Sequence, residues 1–348
     1  MRQSLQQKPS WRPLVRWTTR LALAAALVVP TLAEAAPSST RQGAEDAPGA
    51  KIESRQRTQE TRAAWPTLGG RQFWIDRQYL AGWRIQQNVL TGHFRLLDPA
   101  DRRHAWGNAS DVAAAFAEVR EAERLTPKAR RLVVLLHGWG RSRAMFGDLG
   151  DALRAAGYDT VRLSYPSTQG NLAQHAADLA AFLDRLEGRP RVSFVTHSLG
   201  AMVLRRMLAD HPQFDNGIAL DRAVLIAPPN QGAEMARRLQ GFPLFDLLGG
   251  PVGADLLPVN AATLPAPDIP FIVIAGASGT AEGWNPLLPG DDDGVVAVAE
   301  TRLAGAEAFL PVPAIHTFIV NHPRSIAACL AFLGKDRRPT AGLPVSGE

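Results

Sequence analysis

The segment 192–202 constrains the fold more strongly than any other part of this chain of 348 residues. Its residues are typical of a short apolar strand, a turn that carries Ser198, and the start of a helix. A turn this sharp favours small residues two positions before and two positions after the serine, as in the pattern G-x-S-x-G. Thr196 and Gly200 occupy those positions, so the first is a bulkier variant. The segment predicts a strand–turn–helix unit that exposes the Ser198 hydroxyl.

From residue 131 onward, apolar strand patterns alternate with helical patterns. Strands are predicted near 131–136, 159–163, 191–196, 222–226 and 271–275, and helices near 144–156, 172–186, 199–210 and 323–333. A β-hairpin over 80–98 and a helix over 111–126 precede them. This alternation predicts an α/β architecture, a parallel sheet with helices on both faces.

Two other segments extend the pattern around Ser198. The strand near 131–136 runs into His137-Gly138-Trp139-Gly140, an H-G-x-G turn whose backbone N–H groups could face a developing oxyanion. Downstream, Asp293 precedes Gly294, and His316 follows. The chain therefore has the order serine, acid, histidine.

These three segments together resemble the α/β-hydrolase superfamily, and more narrowly its bacterial lipase and esterase branches, over roughly residues 80–335. The resemblance implies the α/β-hydrolase fold, a mostly parallel doubly wound sheet with helices on both faces and a cap insertion. It also implies cleavage of carboxylic esters, with acyl lipids as the favoured substrates, through an acyl-enzyme.

The resemblance assigns Ser198 as nucleophile, His316 as general base and Asp293 as the acid that orients the base. Ser198 could instead be only a helix N-cap. His322 competes with His316, but Pro323 would place His322 at a helix N-terminus, which disfavours the imidazolium that a base must form.

Asp291 and Asp292 compete with Asp293 for the acid. The run 290–294 also suggests a turn or a calcium loop, but it lacks EF-hand spacing, so we expect no metal. The backbone N–H groups of Leu199 and Trp139 are the expected oxyanion hole, with Gly140 as the alternative to Trp139.

The N-terminus has the pattern of a secretory leader. Residues 1–35 contain five basic residues and one acidic residue, an apolar run over 21–29 and a small-x-small motif at 33–35. We expect a signal peptide over 1–35 and export to the periplasm or the exterior of a bacterium, the alternative being an uncleaved membrane anchor. Because +4 of the net charge of +5 lies in the leader, the remainder gives no indication of a nucleic-acid partner.

The rest of the chain divides by composition. We expect a disordered linker over 36–63, a hydrolase domain over 64–335 and a flexible tail over 336–348. An insertion over about 230–265 carries an apolar cluster at 242–248, which could cover the active site as a cap or be an ordinary packed excursion. Cys329, the only cysteine, is expected to be a buried, inert thiol.

The expected partner is a small-molecule ester or a lipid, with transient contact to a membrane or lipid surface. No P-loop, dinucleotide fingerprint or zinc spacing is present in the sequence, so no cofactor is expected. A thioesterase, an amidase or an acyltransferase could use the same three residues, and a non-catalytic lipid-binding module could share the fold.

Overall fold

The computed structural model describes residues 72–127, 131–188, 190–239, 255 and 258–335. The predicted signal peptide, linker, tail and apolar cluster at 242–248 lie outside these residues. Within the described part of the chain, no helix is long and apolar enough to cross a membrane.

An antiparallel sheet precedes the parallel sheet in the chain. Its strands are β1 (Trp74–Leu80), β2 (Trp83–Asn88), β3 (Phe94–Leu97) and β4 (Arg103–Gly107), paired in the order β1-β2-β3-β4. Helix α1 (Ala109–Ala122) follows β4 and is capped by Asn108, whose side chain accepts a hydrogen bond from the Asp111 N–H at 2.9 Å. The predicted hairpin is therefore confirmed as β2–β3, in the middle of a larger sheet.

The main sheet has six parallel strands. They are β5 (Arg131–Leu136), β6 (Asp159–Leu163), β7 (Arg191–His197), β8 (Ala219–Ile226), β9 (Phe271–Gly276) and β10 (Ala308–Val312). Its helices are α2 (Gly147–Ala155), α3 (Leu172–Asp184), α4 (Leu199–Asp210), α5 (Glu234–Leu239), α6 (Pro258–Ala261), α7 (Val298–Thr301) and α8 (Pro323–Leu333). All five strands predicted in this region are confirmed, and the helix predicted from 144 begins as a 3₁₀ turn at Arg143–Phe146.

The sheet is buried on both faces. In β5, Leu132, Val134 and Leu136 face a core that contains α3 and α4. Val133 and Leu135 face a second core, formed with α2 and α8. Because side chains alternate along a strand, a continuous apolar run such as β5 is typical of a strand covered on both sides.

The strand order is β10-β9-β8-β7-β5-β6. The chain runs from β5 outward to β6 and then crosses back to β7, so the direction of winding changes between β5 and β7. In open α/β sheets, ligands bind at the carboxyl ends of the strands beside such a switch point. The turns after β5 and β7, which contain Gly138 and Ser198, lie at this point.

The two ends of the predicted cap insertion are held by one buried arginine. The Arg205 side chain of α4 donates hydrogen bonds to the Asn230 carbonyl at 3.1 Å, to the Pro265 carbonyl at 3.0 Å and to the Leu264 carbonyl. Burial lowers the pKa of Arg205 to about 10, so the guanidinium stays charged at neutral pH. The insertion is therefore anchored to α4 where it begins and where it ends.

A buried histidine of α3 gives the fold a predictable pH dependence. Within the described residues, neither ring nitrogen of His175 has a hydrogen-bond partner, and its ring lies 5.2 Å from that of Tyr165. Burial lowers the pKa of His175 from 6.5 to about 4. Between these values the unfolded chain binds a proton that the folded chain does not, so stability falls as pH falls, by at most about 3 kcal/mol.

His175→Phe should retain the contact with Tyr165 and remove this contribution. In urea unfolding, the free energy of unfolding of the variant should exceed that of wild type by a margin that grows as pH falls from about 7 to about 4. A margin that does not change with pH would contradict this account of His175.

Candidate active site

Ser198 lies in a strained turn between β7 and α4. Its φ is +53° and its ψ is −119°, a conformation that costs about 1–3 kcal/mol for a residue other than glycine. The turn is fixed by a 2.9 Å hydrogen bond from the Ser198 N–H to the Ile226 carbonyl. The Ser198 side chain makes no capping hydrogen bond, and the residue is half-buried between fully buried neighbours. Ser198 therefore occupies the N-cap position of α4, but its hydroxyl does not cap the helix.

The residues on either side of Ser198 show why the turn closes. A Cβ added to Gly200 would lie 2.5 Å from the Leu136 carbonyl oxygen, so only glycine allows α4 to pack this closely on β5. Thr196, the variant position, is fully buried, and its hydroxyl donates a 3.4 Å hydrogen bond to the Val224 carbonyl. The larger residue thus fits because a neighbouring strand supplies a partner for its hydroxyl.

The loop after β5 lies directly against the serine. A Cβ added to Gly138 would lie 3.0 Å from Ser198 Cβ and 2.9 Å from His197 Nδ1. This close approach requires glycine and brings the backbone that follows Gly138 to the nucleophile turn.

The candidate oxyanion-hole donors near Ser198 differ in whether their backbone N–H groups already have an acceptor. Leu199 is the first residue of α4, so its N–H has no intrahelical acceptor. The Gly140 N–H donates to Ser167 Oγ at 3.1 Å and is therefore engaged. For the Trp139 N–H, no acceptor is found within the described residues. Leu199 and Trp139 thus remain the better candidates for an oxyanion hole.

Asp293 and His316 form a buried pair. His316 Nδ1 donates to Asp293 Oδ2 at 2.7 Å, and the His316 backbone N–H donates to the Asp293 carbonyl at 2.8 Å. The other carboxylate oxygen of Asp293 accepts hydrogen bonds from the N–H groups of Val295 at 3.0 Å and Val296 at 2.8 Å. A proton fixed on Nδ1 leaves the lone pair on His316 Nε2, which is the arrangement that a general base requires.

The two competing carboxylates have other partners. Asp292 accepts hydrogen bonds from the backbone N–H groups of Asn285 and Gly294, and burial raises the pKa of Asp292. Asp291 accepts from both the N–H and the hydroxyl of Ser278. Although burial acts in the opposite direction, these hydrogen bonds lower the pKa of Asp291. Both carboxylates therefore hold the loop, and only Asp293 reaches the histidine.

The competing histidine caps a helix. His322 is the N-cap of α8, and its Nδ1 accepts a 3.2 Å hydrogen bond from the Arg324 N–H. This is the position that Pro323 predicts. A proton on that nitrogen would break the cap and would face the positive end of the helix.

His197 links the turn at Ser198 to the candidate base His316, a contact that sequence reasoning missed. Its Nε2 donates to the His316 carbonyl at 2.9 Å, and the two rings lie 4.6 Å apart. Burial, and then the charge of His316, hold the pKa of His197 well below its usual value. A neutral His197 avoids a second positive charge beside the imidazolium that His316 would form. In the sequence, only its position directly before Ser198 indicated that His197 lies at the site.

The arrangement thus places a half-buried serine turn, a histidine–carboxylate pair and two backbone donors along the carboxyl-terminal edge of the parallel sheet. Within the described residues, no group of three or more acidic, histidine or cysteine side chains could hold a metal ion. Cys329 lies in the core away from these groups, and burial raises the pKa of its thiol to about 12.

Comparison with solved structures shows the same fold at low identity. The mature form of the lipase BlEst2 of Bacillus licheniformis has a TM-score of 0.50 and 19% identity, over 58% of this chain and 91% of that chain. Its propeptide form has a TM-score of 0.52 and 19% identity, over 61% of this chain and 52% of that chain. A search of curated proteins gives no match.

A match to a family model shows which family the chain belongs to. The model described as the Alpha/beta hydrolase family matches residues 133–342, which is more than half of the chain and includes the turns after β5 and β7 and the Asp293–His316 pair. The chain therefore belongs to the alpha/beta hydrolase family.

Proposed function

We propose that this protein is a serine hydrolase that cleaves carboxylic esters through an acyl-enzyme on Ser198. The observation that carries the proposal is the hydrogen bond of 2.7 Å between Asp293 and His316. The His316 ring also contacts the ring of His197, the residue directly before the strained turn at Ser198. A serine hydroxyl is a poor nucleophile without a base, and this geometry supplies an oriented base.

In the acylation step, Ser198 Oγ attacks the ester carbonyl carbon while His316 Nε2 accepts the hydroxyl proton. The oxyanion accepts hydrogen bonds from the N–H groups of Leu199 and Trp139. Such donors contribute about 3 kcal/mol each to the transition state. His316 then gives its proton to the leaving alkoxide, which departs as the alcohol.

In the deacylation step, His316 accepts a proton from water as the water attacks the acyl carbon. The same proton then passes from His316 to Ser198 Oγ as the bond to the acyl carbon breaks, so the carboxylic acid is released and the free serine is regenerated. Asp293 keeps the proton of His316 on Nδ1 and stabilises the imidazolium in both steps.

Acyl lipids are the substrate class that we propose within this reaction. Phe318, two residues after His316, is 65% exposed, and Trp284 is 40% exposed. The sequence also predicts, as one of two alternatives, that the apolar cluster at 242–248 covers the site as a cap. Large exposed aromatic side chains near a site favour contact with an apolar ligand or a lipid surface. Export with a cleaved leader, as proposed from the sequence, would give the enzyme access to such substrates.

A series of p-nitrophenyl esters from acetate to palmitate tests this function. We expect wild-type protein to hydrolyse them, with kcat/KM rising with acyl length because each CH₂ that leaves water contributes up to about 0.8 kcal/mol. A kcat/KM independent of length would contradict the lipid proposal and leave a simple esterase. Absence of hydrolysis across the series would contradict the ester-cleaving function itself.

A further inference from the structure

A cavity of about 500 Å³ lies where the antiparallel sheet meets the ends of β5 and β6. Trp74, Gln86 and Arg95 line it from the antiparallel sheet, and Arg162 lines it from β6. Residues 142–144, from the far end of the loop that begins at His137, close another side. None of these groups takes part in the chemistry proposed for Ser198.

The cavity is lined by three guanidinium groups, those of Arg95, Arg143 and Arg162. Arg95 donates from Nε and Nη2 to one neutral acceptor, Gln86 Oε1, and its guanidinium lies 3.7 Å from the centre of the Trp74 ring. Each guanidinium carries five N–H donors, so most of those of Arg95 are left without a protein acceptor in the described residues.

Arg162 also has donors in excess. Its Nη2 donates to the Gly147 carbonyl at 3.1 Å and to Asp151, a carboxylate that is 65% exposed and is shared with Arg154. Its Nε is buried and has no partner among the described residues. This N–H packs against Gly150 of α2, where an added Cβ would lie 2.5 Å from Nε, so Arg162 contributes to the cavity through its charge.

One carboxylate opposes this positive charge within the cavity lining. Asp101 pairs with Arg143 at 2.7 Å, and its side chain is 49% exposed. Burial, and then the charge of Arg143, lower the pKa of Arg95 to about 10, so Arg95 remains charged at neutral pH. The three guanidinium groups still exceed their two carboxylate partners, Asp101 and Asp151, so the cavity is net positive, and guanidinium donors suit the acceptor geometry of an oxyanion.

The cavity is adjacent to the candidate active site. His137 lines it, and the next residue, Gly138, packs against Ser198 Cβ. β6 is the second strand from β7 in the sheet, and neighbouring strands lie about 4.8 Å apart. An anionic group of an ester bound at Ser198 would therefore need to reach about 10 Å to enter the cavity.

We propose that this cavity binds an oxyanion of the phosphate or carboxylate type, carried either by a free anion or by the part of an ester substrate beyond the scissile bond. The second source depends on the proposed function, whereas the first does not. In either case Arg95, Arg143 and Arg162 recognise the charge.

Calorimetric titration of the full chain with inorganic phosphate tests the site without catalysis. Arg143→Gln should weaken binding about tenfold, because a hydrogen-bonded cation is lost. Asp101→Asn should strengthen binding several-fold, because the opposing carboxylate is removed. Arg206→Gln is the matched control, since Arg206 forms an exposed pair with Asp210 on α4, and phosphate binding should not change.

Asp101→Asn is expected to strengthen phosphate binding. General damage to the fold would weaken binding in every variant, so it could not produce this combination of results. Absence of phosphate binding to wild type, or equal affinity in all three variants, would overturn the proposal.

Kinetics with two matched esters identify the source of the anion. A monoacylglycerol and a monoacylglycerol phosphate with the same acyl chain differ only in the charged group. If the substrate carries the anion, Arg143→Gln should lower kcat/KM about tenfold for the phosphate ester alone, and inorganic phosphate should compete with that ester alone. If the ligand is a free anion, the titration pattern should persist and the ratio of the two kcat/KM values should not change.

The two proposals fail separately. Loss of the titration pattern with intact ester hydrolysis would overturn the anion site alone. Absence of ester hydrolysis with an intact titration pattern would overturn the proposed function and keep the free-anion form of the site.

Discussion

Replacing Ser198 by alanine should lower kcat for ester hydrolysis by about 10⁵-fold or more, as removal of the nucleophile does in other serine hydrolases. The change deletes only Oγ, which makes no capping hydrogen bond. Alanine has the same restriction at a φ of +53° as serine does, so the turn should keep its geometry and its strain. We therefore expect loss of activity without loss of stability.

Initial rates and thermal unfolding of the same preparation check this expectation. An unchanged melting temperature together with a background rate would support Ser198 as the nucleophile. A folded variant that retains more than a few per cent of kcat would contradict it, because attack on the ester would then not depend on Ser198.

Replacing His316 by alanine should lower kcat by about 10³-fold or more, because the general base of the proposed mechanism is lost. His322→Ala is the matched control. It removes a ring that caps α8 through a 3.2 Å hydrogen bond, so it should cost about 1 kcal/mol of stability and little activity. The opposite ranking of the two variants would assign the base to His322.

The carboxylate partner of His316 can be tested in the same assay. Asp293→Asn should lower kcat strongly, because an amide at this position no longer holds the proton of His316 on Nδ1. Asp291→Asn is the control, since Asp291 contacts Ser278 and not the histidine. An Asp291→Asn variant that loses as much kcat as Asp293→Asn would contradict the assignment.

The parallel sheet could be predicted because most of its strands are apolar runs between clear helical patterns, β6 with Asp159 and Arg162 being an exception. Two strands of the antiparallel sheet could not be predicted in this way. β1 carries Asp76, which is buried and accepts hydrogen bonds from Arg84, Gln86 and the Ser164 N–H. β4 is mostly exposed or half-buried. β1 is held by a polar network and β4 lies at the edge of its sheet. For these reasons neither strand shows the alternation of apolar and polar residues from which a strand can be predicted.

The residues of the candidate site could be predicted from short motifs. The role of His197 and the arginine-lined cavity could not, because they depend on contacts between residues that are distant in the sequence. The pattern around Ser198 and the segment after Asp293 are local, so their geometry could be predicted. The partner of His197 is the backbone of His316, 119 residues away. Arg95, Arg143 and Arg162 come from a strand of one sheet, a loop and a strand of another, and no spacing in the sequence brings them together.

Covalent labelling with a fluorophosphonate tests the central claim most directly. After digestion, mass spectrometry should find one phosphonyl adduct, on the peptide that contains Ser198, and labelling should be much slower in His316→Ala because the base no longer activates the hydroxyl. Ser198→Ala should not be labelled. An adduct on any other residue of wild type, or labelling that persists in Ser198→Ala, would contradict the assignment of Ser198 as the nucleophile.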